Sequence, residues 1–357
     1  MTTTLVTRAI LTACLVGLAP AAALAQRDLP PEIVRGSDLS AVQTQQLGAY
    51  VAQHAPGLSG DQVQVKRARL ALLAPLKESQ VSISFRLAYA RALVPVLEPL
   101  LKHQNDLVAV NALQIAGELG TPDSPVLLAQ GLTDGRAPVR YGAAFGHRRL
   151  FEVLASGTPA LTPKQAIDAA GAVARVLAGE TDAHVMEGCE RALEAAARVP
   201  EAQLRGVRAE AVGMLARQIG ERARGMSGTA PAEFAGVLTR ASKIASDAIT
   251  LAHMDKNEPP LPPPTLAEVG RMAGAILLSA RARLAAGEVP ERVRAALAQV
   301  VSAAEAAYFF AHSALGERPE NRDLAGMVSG ARDEDFAKAV EALAGAGGVL
   351  SRPPFVR

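Results

Sequence analysis

The side chains of this chain that could carry chemistry are few and scattered. Histidine occurs at positions His54, His103, His147, His184, His253 and His312, and no two lie within 30 residues of each other. A helical metal site needs two histidines one turn apart, as in H-E-x-x-H, and that spacing is missing. His147 stands beside Arg148 and Arg149. Such a trio could hold an anion, but a solvated helix face is the plainer reading. Cys189 lies among Val185, Met186, Ala192 and Leu193. It reads as a small buried hydrophobe, with no assignable histidine to make it a nucleophile. No G-x-S-x-G elbow and no phosphate-binding glycine loop after a strand occurs. Gly57-Leu58-Ser59-Gly60 and Gly225-Met226-Ser227-Gly228 read as turns. The acidic group in Arg332-Asp333-Glu334-Asp335 suits a helix start, where negative charge favours the macrodipole, and a calcium loop of the EF-hand kind is missing. The sequence thus assigns no catalytic residue, no metal ligand and no cofactor site.

The elements that would position any site are helices. Alanine and leucine dominate, aromatics make up 3% and tryptophan is absent, so strand-forming alternation has little to build on. Val81-Ser82-Ile83-Ser84-Phe85 has period two, but it lies between helical runs and reads as a helix start with Ser84 near the cap. From 266 to 284 one stripe holds Leu266, Val269, Ala273, Ile276, Leu277, Ala280 and Leu284. From 293 to 315 another holds Val293, Leu297, Val300, Ala304, Tyr308, Ala311 and Leu315. Tyr308-Phe309-Phe310 lies in that stripe and is expected to fill a wide part of the core, the alternative being a partner surface. Helix, short turn, helix throughout means a bundle or a solenoid.

The first 25 residues read as a secretory leader. Arg8 is followed by an uncharged run from Ala9 to Ala25 that ends in Ala23-Leu24-Ala25, a small-x-small cleavage pattern. Cleavage is expected after Ala25, leaving the mature chain periplasmic or secreted. Leu11-Thr12-Ala13-Cys14 resembles a lipobox, which would make Cys14 a lipid anchor. The run stays apolar past Cys14, where a lipoprotein would have a polar tether, and this favours a cleaved leader. No later stretch is apolar for long enough to span a membrane. With Cys14 removed, Cys189 is alone and no intrachain disulfide forms. The formal charge of +2 is too near neutral for an electrostatic binder of nucleic acid.

One stretch carries a repeat motif. Asp134 is followed five residues later by Val139-Arg140 and then by the small pair Ala143-Ala144. Asn105 stands likewise before Val110, with Asn111 in the Arg position. Phe85-Arg86 keeps the Arg with Gln80 in place of the Asp, and Asp182 precedes Val185-Met186. This pattern resembles the HEAT repeat over about residues 65–200. The resemblance implies that the Asp caps the second helix and meets an Arg of a neighbouring repeat. The anchors at 85, 110, 139 and 185 are spaced 25, 29 and 46 residues, so the array is irregular.

The expected fold class is therefore all-α, an irregular HEAT-like α-solenoid followed by a small C-terminal helical bundle. Glu258-Pro259-Pro260-Leu261-Pro262-Pro263-Pro264 marks the clearest boundary, because five prolines in seven residues cannot continue a helix. The divisions are a leader (1–25), a lead-in with the first helix (26–64), the repeat region (65–257), the proline linker (258–264), the C-terminal bundle (265–345) and an irregular tail (346–357). Arg27 to Asp38 reads as extended and the stretch from Gly345 as frayed or irregular. The function that fits is an exported, non-catalytic scaffold for an unknown protein partner. The main rival is an enzyme or small-ligand binder whose site is assembled from scattered residues, for which a deep polar cavity with two carboxylates or converging histidines would speak.

Overall fold

The structure, a computed structural model, describes residues 28–157, 159–226 and 230–355; the leader, Cys14 and the cleavage site after Ala25 lie outside the described residues. After a short α1 (Pro31–Arg35), helices follow in hairpin pairs: α2 (Ala41–His54) with α3 (Gln62–Leu73), α4 (Ile83–Leu101) with α5 (Asp106–Leu119), α6 (Asp123–Leu132) with α7 (Ala137–Ser156) and α8 (Pro163–Gly179) with α9 (Ala183–Ala197). The next pair, α10 (Val207–Gly225) and α12 (Ala235–Met254), is interrupted by the single turn α11 (Ala230–Glu233). Then come α13 (Pro263–Ala285) with α14 (Glu291–Ala314), and α15 (Leu324–Ser329) with α16 (Asp333–Ala344). No strand occurs among the described residues.

The pairs stack in register. First helices α4, α6, α8, α10 and α13 contact one another in sequence and form one layer. Second helices α3, α5, α7, α9, α12 and α14 form the other. Each pair buries its apolar faces only against its neighbours, which is the logic of a solenoid. At the C-terminal end α13, α14, α15 and α16 contact each other in a ring, a four-helix group that docks through α13 on α10 and α14 on α12.

Local chemistry sets the helix ends. Ser40 with Gln43, Asp61 with Gln64 and Thr162 with Gln165 form reciprocal capping boxes. Asn105 and Asp182 cap α5 and α9. The cap of α4 is Ser82, whose hydroxyl accepts from the Phe85 N–H, while Ser84 Oγ donates to the Ser37 carbonyl. The period-two stretch is thus a helix start, with its cap two residues earlier than expected. Both long stripes face the core: all seven residues of the 266–284 stripe are buried, and Leu297, Val300, Ala304, Tyr308 and Ala311 are buried in the next. The second layer is tightest at α5 and α7. A Cβ on Gly117 would strike the backbone of Gly146, and a Cβ on Gly146 would strike Leu128 and the Leu113 carbonyl. Two helices that touch by their backbones tolerate only glycine there.

Three connecting segments differ from expectation. The lead-in is not simply extended: α1 forms within it because Ile33 and Val34 have a core to enter. The proline segment is extended but fastened. Glu258 pairs with the buried Arg208 at 2.9 Å, Arg208 donates to the Pro259 carbonyl, and Leu261 is buried. Pro263 and Pro264 open α13, where missing N–H groups cost nothing. The tail is irregular in path but not frayed. Leu350 and Phe355 are buried against Gly274 and Gly270 of α13, and Arg271 donates to the Phe355 carbonyl.

Candidate functional site

The repeat motif builds a polar ladder between successive intra-repeat turns. Arg136 binds Asp134 at 2.9 Å and Asp106 of the preceding pair at 3.0 Å, and it donates to the His103 carbonyl. Arg140 donates to the carbonyls of Asp134 and Gly135 and pairs with Glu180 of the following pair at 2.7 Å. Glu180 in turn accepts from the N–H groups of Thr181 and Asp182. The Arg140 guanidinium, against burial, holds the Glu180 carboxyl down at about 2. Asp134 is likewise lowered, first by its hydrogen bond from Arg136. The capping role expected of Asp134 is corrected here. Its carboxylate accepts from the Arg136 N–H, and Arg136, with no side-chain cap, is the residue that enters α7.

Two further equivalences shift. Phe85 lies on α4, a first-layer helix, so it does not match Val139 on α7. In α5 the buried third position is Val108 rather than Val110, and Asn111 spends its amide on the Leu107 carbonyl. Arg136 and Glu180 were not singled out from the sequence. The signal for Glu180 was its place two residues before the cap Asp182, where a carboxylate meets the free N–H groups of the turn.

The six histidines do not come together. His54 meets Tyr50 edge-on, His103 accepts from the Asn105 N–H, His184 and His253 are exposed, and His312 bonds to the Tyr308 hydroxyl. His147 is not on a solvated face and cannot hold an anion with Arg148 and Arg149. Its ring is fully buried and its Nδ1 lies 2.9 Å from the Ala143 carbonyl. Burial lowers its pKa to about 4. The two arginines instead pair with Glu152 and Glu118. Cys189 is fully buried and its thiol is pushed up to about 12 by that burial. Among the described residues no three His, Cys, Asp or Glu side chains gather as metal ligands would.

What the structure does offer is a row of grooves along the second layer, each sharing a lining residue with the next. A groove of about 390 Å³ lies between α7 and α9, lined by Arg148, Arg191, Arg198 and Arg240 with Glu152 and Glu194. Glu194 and Arg198 also line the next groove, about 360 Å³ between α9 and α12. Asp247 carries that one into a shallow channel of about 700 Å³ between α12 and α14, floored by Ala298, Ser302 and Ala306. Phe310 carries the channel into a fourth groove of about 410 Å³ with Phe309, Leu261 and Leu266. Its apolar end is open to water: Phe309 is 36% exposed and Phe310 38%. This overturns the expectation that the whole Tyr308-Phe309-Phe310 cluster fills the core. Only Tyr308 is on the buried stripe; its two neighbours, 100° and 200° around the helix, point to the grooves.

On the first layer, α10, α13 and the tail enclose a cleft of about 640 Å³ with Glu210, Arg217, Glu268 and Arg271. Glu268 is held by Arg271 at 2.8 Å and approached by Arg217 at 3.7 Å, so its charge is already spent on two guanidinium groups.

No protein-family profile and no curated protein matches the chain. Solved structures that align with it include a designed armadillo repeat protein, 18% identical, covering 73% of this chain and 99% of that one at a TM-score of 0.37. Human deoxyhypusine hydroxylase in complex with glycerol is 18% identical, with 74% and 99% covered and a TM-score of 0.22. An engineered protein is 17% identical, with 91% and 95% covered and a TM-score of 0.26. At these values no residue role or activity transfers. The stacked hairpins and the ladder between their turns make this chain a helical-repeat protein of HEAT-like fold.

Proposed function

We propose that the chain is an exported, non-catalytic scaffold of the bacterial cell envelope that holds a protein partner along its second-layer face. The observation that carries this is the row of grooves: four, joined through shared residues and ending in exposed Phe309 and Phe310. Contiguous exposed aromatics rimmed by polar groups are the usual mark of a recognition surface. A solenoid suits that role because its grooves run across repeats and so take an extended partner. Export rests on the leader from Thr2 to Ala25. In-cell crosslinking and pull-down of the tagged chain from the native envelope, with an unrelated exported helical protein as control, tests the reading. A reproducible stoichiometric protein partner supports it; none, with the chain folded and abundant, overturns it. N-terminal sequencing of the exported form should begin at Gln26, and an acylated Cys14 would replace the soluble form by a lipid-anchored one.

A further inference from the structure

Beyond the scaffold reading, we infer that the outer ridge of α12 is a self-association seam on which a second copy of this chain docks antiparallel across a two-fold axis. The ridge is made of Gly236, Arg240, Lys243, Asp247, Thr250 and Met254, none of them buried. Their spacing of four, three, four, three and four is that of a helix-packing seam, and it reads the same in both directions about Ala245. An isologous contact sets each residue of a patch against its two-fold mate in the other copy. On this ridge the mates are Gly236 with Met254, Arg240 with Thr250, and Lys243 with Asp247.

Each pairing is complementary. Met254 is 77% exposed, and a Cβ on Gly236 would meet nothing, so a protruding thioether faces a position without a side chain. Arg240 already holds Glu187 at 2.9 Å and its mate Thr250 is neutral, so no like charges meet there. Lys243 and Asp247 are exposed, one turn apart, and neither has an ion pair or a hydrogen bond. The same Lys-x-x-x-Asp spacing on α8 closes on itself, Lys164 to Asp168 at 2.6 Å. On α12 both charges stay open, and the two-fold axis sets each against its opposite in the second copy, giving two intermolecular ion pairs. The nearby Glu194 and Arg198 satisfy each other. Among the described residues that line the channel beside the ridge, Lys243 and Asp247 alone are charged. A pair of zero net charge gives no preference to a uniformly acidic or basic partner; it selects one with the opposite charge order, which an antiparallel copy of α12 supplies. Ala298, Ser302 and Ala306 floor that channel with small side chains that let a second helix approach closely. The seam is about 27 Å long. One helix pair of that length makes a small interface, so association is reversible.

Sedimentation equilibrium of the full mature chain should show a reversible, concentration-dependent rise from one chain mass to two. Lys243→Glu gives the seam two acidic positions, and Asp247→Lys gives it two basic ones. Each variant alone should self-associate at least about tenfold more weakly than wild type, because like charges then meet twice across the axis. An equimolar mixture of the two variants should recover association as a heterodimer, since every charge again faces its opposite. Both positions are exposed, so both variants should melt with the wild type. A chain that stays monomeric at every soluble concentration, self-association unchanged in both variants, or no recovery in the mixture overturns the seam. A monomeric chain that captures a different protein in the pull-down loses the seam and keeps the scaffold. A dimer that captures no other protein keeps the seam and loses the scaffold.

Discussion

His147 gives the sharpest quantitative test of the fold. Its ring is fully buried between repeats, and the Ala143 carbonyl, which can only accept, fixes the proton on Nδ1. Nε2 is left without a partner. Burial, partly opposed by that hydrogen bond, lowers the folded pKa from 6.5 to about 4. A base with a depressed folded pKa binds its proton more readily when unfolded. Stability is therefore complete above about pH 6.5 and is lost as the pH falls toward 4. Integrating that difference gives a loss of about 2 kcal/mol between pH 7.5 and pH 5, with a ceiling of roughly 3.4 kcal/mol in stronger acid. Urea denaturation of the wild type and of His147→Met at both pH values isolates this group. The wild type should lose about 2 kcal/mol more than the variant on acidification. Glu190, whose raised pKa acts with the opposite sign, is present in both proteins and cancels. An identical pH response in the two would refute the buried, neutral imidazole.

Breaking the ladder should cost more than a surface pair does. Arg140→Gln leaves the Glu180 carboxylate, 5% exposed, with backbone donors alone; urea unfolding should show a loss of about 3 kcal/mol, largely restored by adding Glu180→Gln. Gly117→Ala drives a methyl into the Gly146 backbone and should destabilise by about 1–3 kcal/mol in a thermal melt, whereas Gly48→Ala, with open space around it, should not. Phe355→Ala empties the slot at Gly270 and should cost about 3 kcal/mol, with hydrogen exchange rising in the tail and α13 before the rest.

Much of the fold was legible because helix physics is local. The stripes from Leu266 and from Val293 name the buried faces, and Asp182 and Asn105 mark true helix starts. The Val139-Arg140 motif identified the repeat through the chemistry that joins turns. What stayed hidden depended on neighbours far along the chain. Arg140 finds Glu180 forty residues on, and no periodicity announces that pairing. His147 is followed in sequence by Arg148 and Arg149, yet a helix turns by 100° per residue, so its ring enters the core while theirs stay half-exposed. The same rotation separates buried Tyr308 from exposed Phe309 and Phe310. The tail reads as frayed or irregular in sequence because glycines and prolines end helices. Its fixed position depends on the slot that Gly270 and Gly274 open in a distant helix.

The central claim, that the second-layer face holds a protein, is tested most directly by placing a photo-crosslinking residue at Phe310, at Arg198 and, on the first-layer face, at Glu210 in the exported chain. Each side chain is at the surface of its groove or cleft. The account predicts one shared crosslinked protein from positions 310 and 198, none from 210, and its loss when Phe309 is changed to serine without a change in melting temperature. Equal crosslinking from both faces, or capture at 210 alone, would contradict it.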